Sequence, residues 1–63
     1  MKIDYDPKFN VAYVKLSEKK DNVRTLSLSE DINVDICLDG KLYGFELLNA
    51  NQPHYKNFLE ALA

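Results

Sequence analysis

The chain has 63 residues and a net charge of −2, and it is 46% hydrophobic, 29% charged and 11% aromatic. That is the composition of one folded domain rather than a disordered tail. One cysteine, Cys37, excludes an internal disulfide, and one histidine, His54, leaves no Cys/His zinc spacing.

Size carries its own consequence. A domain of about 60 residues buries only about 60% of its unfolded surface, so association with another chain is the expected extra source of stability. A substrate pocket is not expected beside so small a core. No apolar run is long enough to span a membrane. The opening Met1-Lys2-Ile3-Asp4-Tyr5-Asp6-Pro7 has no signal-peptide core, and one free cysteine suits a reducing cytoplasm. The acidic balance argues against a grip on nucleic acid and suits a basic protein partner.

Taken in chain order, residues 2–5 alternate polar and apolar as a strand does. Asp6 to Asn10 reads as a turn around Pro7. Residues 11–16 form a second strand rich in β-branched and aromatic residues, and 17–22 a polar loop. A third strand covers 23–28, with Leu26 and Leu28 on one face, and Ser29-Glu30-Asp31 is a short connection.

Strands over 32–38 and 41–48 flank Asp39-Gly40, the dipeptide of a two-residue type I′ hairpin with positive φ at both positions. That turn sets Leu38 opposite Lys41, Ile36 opposite Tyr43, Val34 opposite Phe45 and Ile32 opposite Leu47. A helix over 53–62 begins at Pro53 and carries Tyr55, Phe58, Leu59 and Leu62 as one apolar stripe. It is too short to stand alone and must pack on the apolar sheet face. The expected fold is a two-layer α+β domain, an antiparallel β-meander of about five strands with one short C-terminal helix.

Acidic groups are the candidates for chemistry. Asp4, Asp6, Asp35 and Glu46 converge if strands one, two, four and five present them on one face. Paired carboxylates can bind Mg²⁺ or act as acid and base; the plainer reading is a solvated outer face. No metal-spacing or nucleophile motif is present, so no catalytic residue, metal or cofactor is assigned. His54 reads as a surface histidine and Cys37 as an inert thiol. Tyr5, Tyr13 and Tyr43 read as cross-strand partners before they read as an aromatic binding surface. At Gly44 a neighbouring aromatic ring is expected to cover the missing side chain. The candidate binding face is Asp4, Asp6, Tyr13, Asp35 and Glu46.

Two stretches carry a family resemblance. The first is Met1-Lys2-Ile3-Asp4-Tyr5-Asp6-Pro7 with Tyr13-Val14-Lys15-Leu16. The second is Asn33-Val34-Asp35-Ile36 with Asp39-Gly40-Lys41-Leu42-Tyr43-Gly44-Phe45-Glu46-Leu47-Leu48 and Ala50. Together they resemble the YuzE-like family of small bacterial and phage proteins, domain of unknown function 2283, over roughly residues 1–50. The resemblance implies no established enzymatic activity. It implies for some members the antitoxin half of a toxin–antitoxin pair, beside a small ribonuclease-like toxin. Relatives often hold Asp at the positions of Asn10, Cys37 and Asn49, a departure that weakens a carboxylate-based active site here.

Two functional expectations follow. The first is a small acidic protein-binding module that associates with itself, as a homodimer or higher, or with a basic protein. The alternative is a small metal-dependent hydrolase using the carboxylates of the open sheet face.

Overall fold

The computed structural model describes residues 1–18 and 22–63. Five strands and one helix follow in order: β1 (Lys2–Asp6), β2 (Val11–Lys15), β3 (Arg24–Ser27), β4 (Ile32–Ile36), β5 (Leu42–Leu47) and α1 (Pro53–Leu62). All strand pairs are antiparallel and form one open sheet. The fold is a small α+β domain with a C-terminal helix. The expected polar loop over 17–22 lies partly outside the described residues.

The strand order is β1-β2-β5-β4-β3. A simple meander would place β3 beside β2; instead β5 fills that position and β3 lies at the far edge. Strand periodicity reports which residues face the core but carries no information on which strand is the neighbour. Two tight local pairs, β1 with β2 and β3 with β4, are therefore joined through β5.

The β4–β5 register pairs Ile32 with Leu47, Asn33 with Glu46, Val34 with Phe45 and Asp35 with Gly44, as the pattern requires. Nearer the tip the expectation fails in two compensating ways. The turn is not type I′: only Gly40 has positive φ, at 87°. The Gly40 amide donates to the Cys37 carbonyl at 2.9 Å and the Cys37 amide to the Lys41 carbonyl at 2.8 Å. This is a three-residue loop, Leu38 to Gly40, closed by a glycine in the left-handed region. It adds one residue to β4's side of the tip. A bulge on β5 adds one in return, so that Ile36 pairs with Leu42 rather than Tyr43. The two insertions cancel, and the register beyond them is unchanged.

Alternation along paired strands divides the sheet into two faces. One carries two apolar rows: Ile3, Val14, Phe45, Val34 and Leu26, then Tyr5, Ala12, Leu47 and Ile32. The helix packs on the second of these rows. Ala12, Leu47 and Ala50 form the buried cluster, with Ile32, Phe45, Tyr55 and Leu59 against it. Phe58 sets its ring 6.1 Å from that of Phe45.

Turn chemistry holds the helix end of the sheet. Asn10 and Asn49 take φ of 54° and 56°, conformations that asparagine tolerates better than most residues. The Ala50 amide donates to the Asn10 carbonyl at 2.8 Å, tying the two turns together. Asp31, read from sequence as part of a plain connection, is a hub. Its carbonyl accepts from the Leu48 amide at 2.7 Å, and its carboxylate accepts from Asn49 Nδ2 at 2.9 Å and Tyr55 Oη at 3.3 Å. Burial and the Asp31 carboxylate push the Tyr55 phenol upward.

Candidate functional site

The sheet face away from the helix holds all five candidate binding residues. Register places Asp4, Tyr13, Glu46, Asn33 and Ser27 in one cross-strand row. The next row holds Lys2, Lys15, Gly44, Asp35 and Thr25, and Asp6 sits at the rim opposite Val11. Period-two patterning makes this face polar; register makes it a network.

Asp35 is the centre of that network. Tyr13 Oη donates to Asp35 Oδ2 at 2.6 Å, and Thr25 Oγ1 donates to Oδ1 at 2.5 Å. Both are short, as hydrogen bonds to a carboxylate tend to be. The Tyr13 phenol is pushed far above its usual range, first by burial and then by its bond to Asp35. It is thus a neutral donor at all physiological pH. Beside it, Asn33 Nδ2 donates to Glu46 Oε1 at 3.1 Å.

Gly44 makes this reach across the sheet geometrically feasible. A Cβ there would lie 2.8 Å from Tyr13 Cε1 and Oη, and 2.6 Å from the Val14 carbonyl oxygen. The Tyr13 ring lies over the glycine, as the sequence pattern anticipates, and the missing side chain lets the phenol reach β4. The β5 bulge completes the arrangement. The Tyr43 carbonyl accepts from the Leu16 and Ser17 amides at 2.8 and 3.1 Å. Its ring stands 6.4 Å from that of Tyr13, rather than joining Phe45 and Leu47 on the helix side. Tyr5 stands apart on the helix side, donating to Asn10 Oδ1 at 3.0 Å.

The carboxylates do not converge. Asp4 lies 4.0 Å from the Lys2 ammonium at the exposed edge. Asp6 Oδ1 accepts from the Lys8 amide at 2.9 Å and shapes the β1–β2 turn. Among the described residues no three of His, Cys, Asp or Glu gather closely enough to hold a metal ion. Asp35 and Glu46 each accept from a neighbouring strand, so the network reads chemically as a cross-strand brace.

The helix side offers different chemistry. An open cleft of about 610 Å³ lies between β1 and α1, lined by Ile3, Tyr5, Ala50, Lys56, Leu59 and Glu60. Sequence reasoning expected no such space; it arises because a ten-residue helix covers only part of a five-stranded sheet. On the helix itself Phe58 is 46% exposed, and beyond the helix Leu26 is 39% exposed and Leu28 65%. His54 is exposed with its ring 4.1 Å from that of Tyr55. Cys37 is half-buried just beyond β4, where the hairpin turns.

The family model described as a protein of unknown function, DUF2283, matches residues 2–51. The chain belongs to the DUF2283 family. The matched residues take in all five strands and the Tyr13, Asp35 and Gly44 arrangement, and they stop short of α1. For this DUF2283 member, no curated protein and no solved structure matches. No helix is long and apolar enough to cross a membrane among the described residues.

Proposed function

We propose that this DUF2283 protein is a small protein-binding module that works through the uncovered part of its helix side and its open sheet edges. One observation carries the reading. Among the described residues the buried hydrophobic residues are Ala12, Val14, Leu47 and Ala50, while Leu26, Leu28, Leu42 and Phe58 on or near the sheet remain exposed. Added apolar burial against a second chain stabilises such a domain by roughly 25 cal/mol per Å². The polar face, by contrast, spends Asp35 and Glu46 on its own strands.

The family resemblance suggests a finer form: an acidic, antitoxin-like partner of a small basic ribonuclease-like toxin. The net charge of −2 suits such a partner. The hydrolase alternative draws no support from carboxylates dispersed in this way. The test is light scattering and thermal melting across a micromolar concentration series, alone and with a small basic ribonuclease. A species larger than 7.3 kDa, with a melting point that rises with concentration, is expected in at least one arm. A concentration-independent monomer in both arms would refute the reading.

A further inference from the structure

The two edges of the sheet are built differently. β1 carries Lys2, Asp4 and Asp6 along its length and leads directly into Pro7, the devices that discourage strand addition. β3, Arg24-Thr25-Leu26-Ser27, is exposed throughout and holds one charge, at its first residue. It contains no proline, and its pairing with β4 runs without a register shift.

The outward backbone groups of β3 can be assigned. The Leu28 amide donates to the Ile32 carbonyl at 2.8 Å, which makes that pair a hydrogen-bonded one. Antiparallel ladders alternate. Leu26 with Val34 and Arg24 with Ile36 are then also hydrogen-bonded pairs, and Thr25 with Asp35 and Ser27 with Asn33 are not. The short bond from Thr25 Oγ1 to Asp35 fits the closer side-chain approach of a non-hydrogen-bonded pair. The amides and carbonyls of Thr25 and Ser27 consequently point away from the sheet, and among the described residues nothing pairs with them.

From this we infer that β3 is a self-pairing edge whose partner is a second copy of this chain, joined antiparallel across a twofold axis at Leu26. In that register Thr25 of one protomer exchanges hydrogen bonds with Ser27 of its partner, and the reverse, so every outward group of both residues is satisfied. Leu26 meets its own symmetry mate as a non-hydrogen-bonded pair, the closest side-chain approach in a ladder. The contact lies on the helix side, continuous with Val34, so the exposed part of the apolar row is the part covered. Antiparallel order also carries Arg24 toward the Leu28–Glu30 end of the partner strand, setting opposite charges at both ends of the seam. The result is a ten-stranded sheet with a charged β1 at each outer edge.

The inference rests on the protein-binding reading and names its partner. The test uses full-length protein with Cys37→Ser, so that an introduced thiol is alone. Leu26→Cys should give a disulfide-linked dimer in high yield under mild oxidation, whereas Thr25→Cys, which faces Ser27 of the partner, should not. Ser27→Pro removes the outward amide and, with it, one exposed bond from Ser27 Oγ to the Ser29 carbonyl, and it leaves the β3–β4 ladder bonds in place. It should leave the circular dichroism spectrum unchanged and convert the protein to a monomer by light scattering. A dimer that persists in Ser27→Pro, or that fails to cross-link through position 26, would overturn the β3 seam while leaving protein binding standing. A wild-type monomer that binds a basic ribonuclease would do the same, and a monomer that binds nothing would remove both.

Discussion

On the face away from the helix, Tyr13 and Thr25 donate to Asp35 and Asn33 donates to Glu46, so the polar groups of four strands satisfy one another. On the helix side, two apolar rows run across the sheet and a single helix covers mainly one of them. Charged residues draw attention to the first face, yet its geometry is that of an internally braced surface. The second face is chemically plain and physically incomplete. A surface's readiness to bind depends on what it leaves unsatisfied, and in this molecule that is apolar area and one strand edge.

The sharpest way to break the comparison is to remove part of the small core. Leu47→Ala, at a site 2% exposed, should cost about 3 kcal/mol, and in a domain this small that brings most of the protein close to unfolding. Phe58→Ala, at a half-exposed site, should cost far less by denaturant melting. Equal losses would mean that the helix is packed more deeply than its exposure indicates.

The next effect belongs to the polar face. Gly44→Ala forces a methyl group against the Val14 carbonyl and the Tyr13 ring, and should cost about 2–3 kcal/mol as an overpacking strain. The Tyr13 ring can give way and the carbonyl cannot. Tyr13→Phe in the same background should therefore recover little stability. A full recovery would show that the phenolic oxygen, and not the Val14 carbonyl, sets the limit.

Tyr13→Phe by itself removes a hydrogen bond to a carboxylate at a partly exposed site, a loss of about 1–2 kcal/mol after allowance for solvent. Its pH dependence has a definite sign. The folded protein holds the phenolic proton more tightly than the unfolded chain, whose ordinary value is 10.0. Stability from this source is complete below that pH and declines as pH rises through and beyond it. Melting curves should fall more steeply above about pH 10 for the wild type than for Tyr13→Phe; parallel curves would show that the bond is absent in solution.

The smallest expected change is a gain. Gln52 occupies the N-cap of α1 without a side-chain cap bond, and the first turn holds no acidic residue. Gln52→Ser should stabilise the protein by about 0.5–1 kcal/mol. No gain in melting temperature would mean that helix fraying does not limit the stability of the helix side.

Much of this was legible from residue patterns. Pro53 and the stripe of Tyr55, Phe58, Leu59 and Leu62 mark α1 at its observed bounds, and alternation marks every strand to within two residues at either end. The ring covering Gly44 was also legible, because a glycine beside aromatic residues in a sheet calls for such a cover. The position of β5 between β2 and β4 was not legible, since pairing partners leave no trace in period-two patterning. Asp39-Gly40 announced a hairpin but not its length, because one left-handed glycine serves both a two-residue and a three-residue loop. Asp31 was missed because a hub on a connection has no periodic context. Its partners, Asn49 and Tyr55, lie 18 and 24 residues away.

The central position of β5 has a consequence for how the molecule comes into being. It is the last of these five strands in chain order, yet it supplies one side of both interior seams of the sheet. Until it emerges, the nascent chain holds two separate strand pairs, and an isolated two-stranded hairpin is marginal in water. β2 must then recruit a strand about thirty residues downstream, a closure that costs chain entropy before any contact rewards it. Folding of this domain should accordingly be nearly all-or-none and wait for β5, with the β3 edge and the bare β2 edge exposed together for as long as β5 is missing.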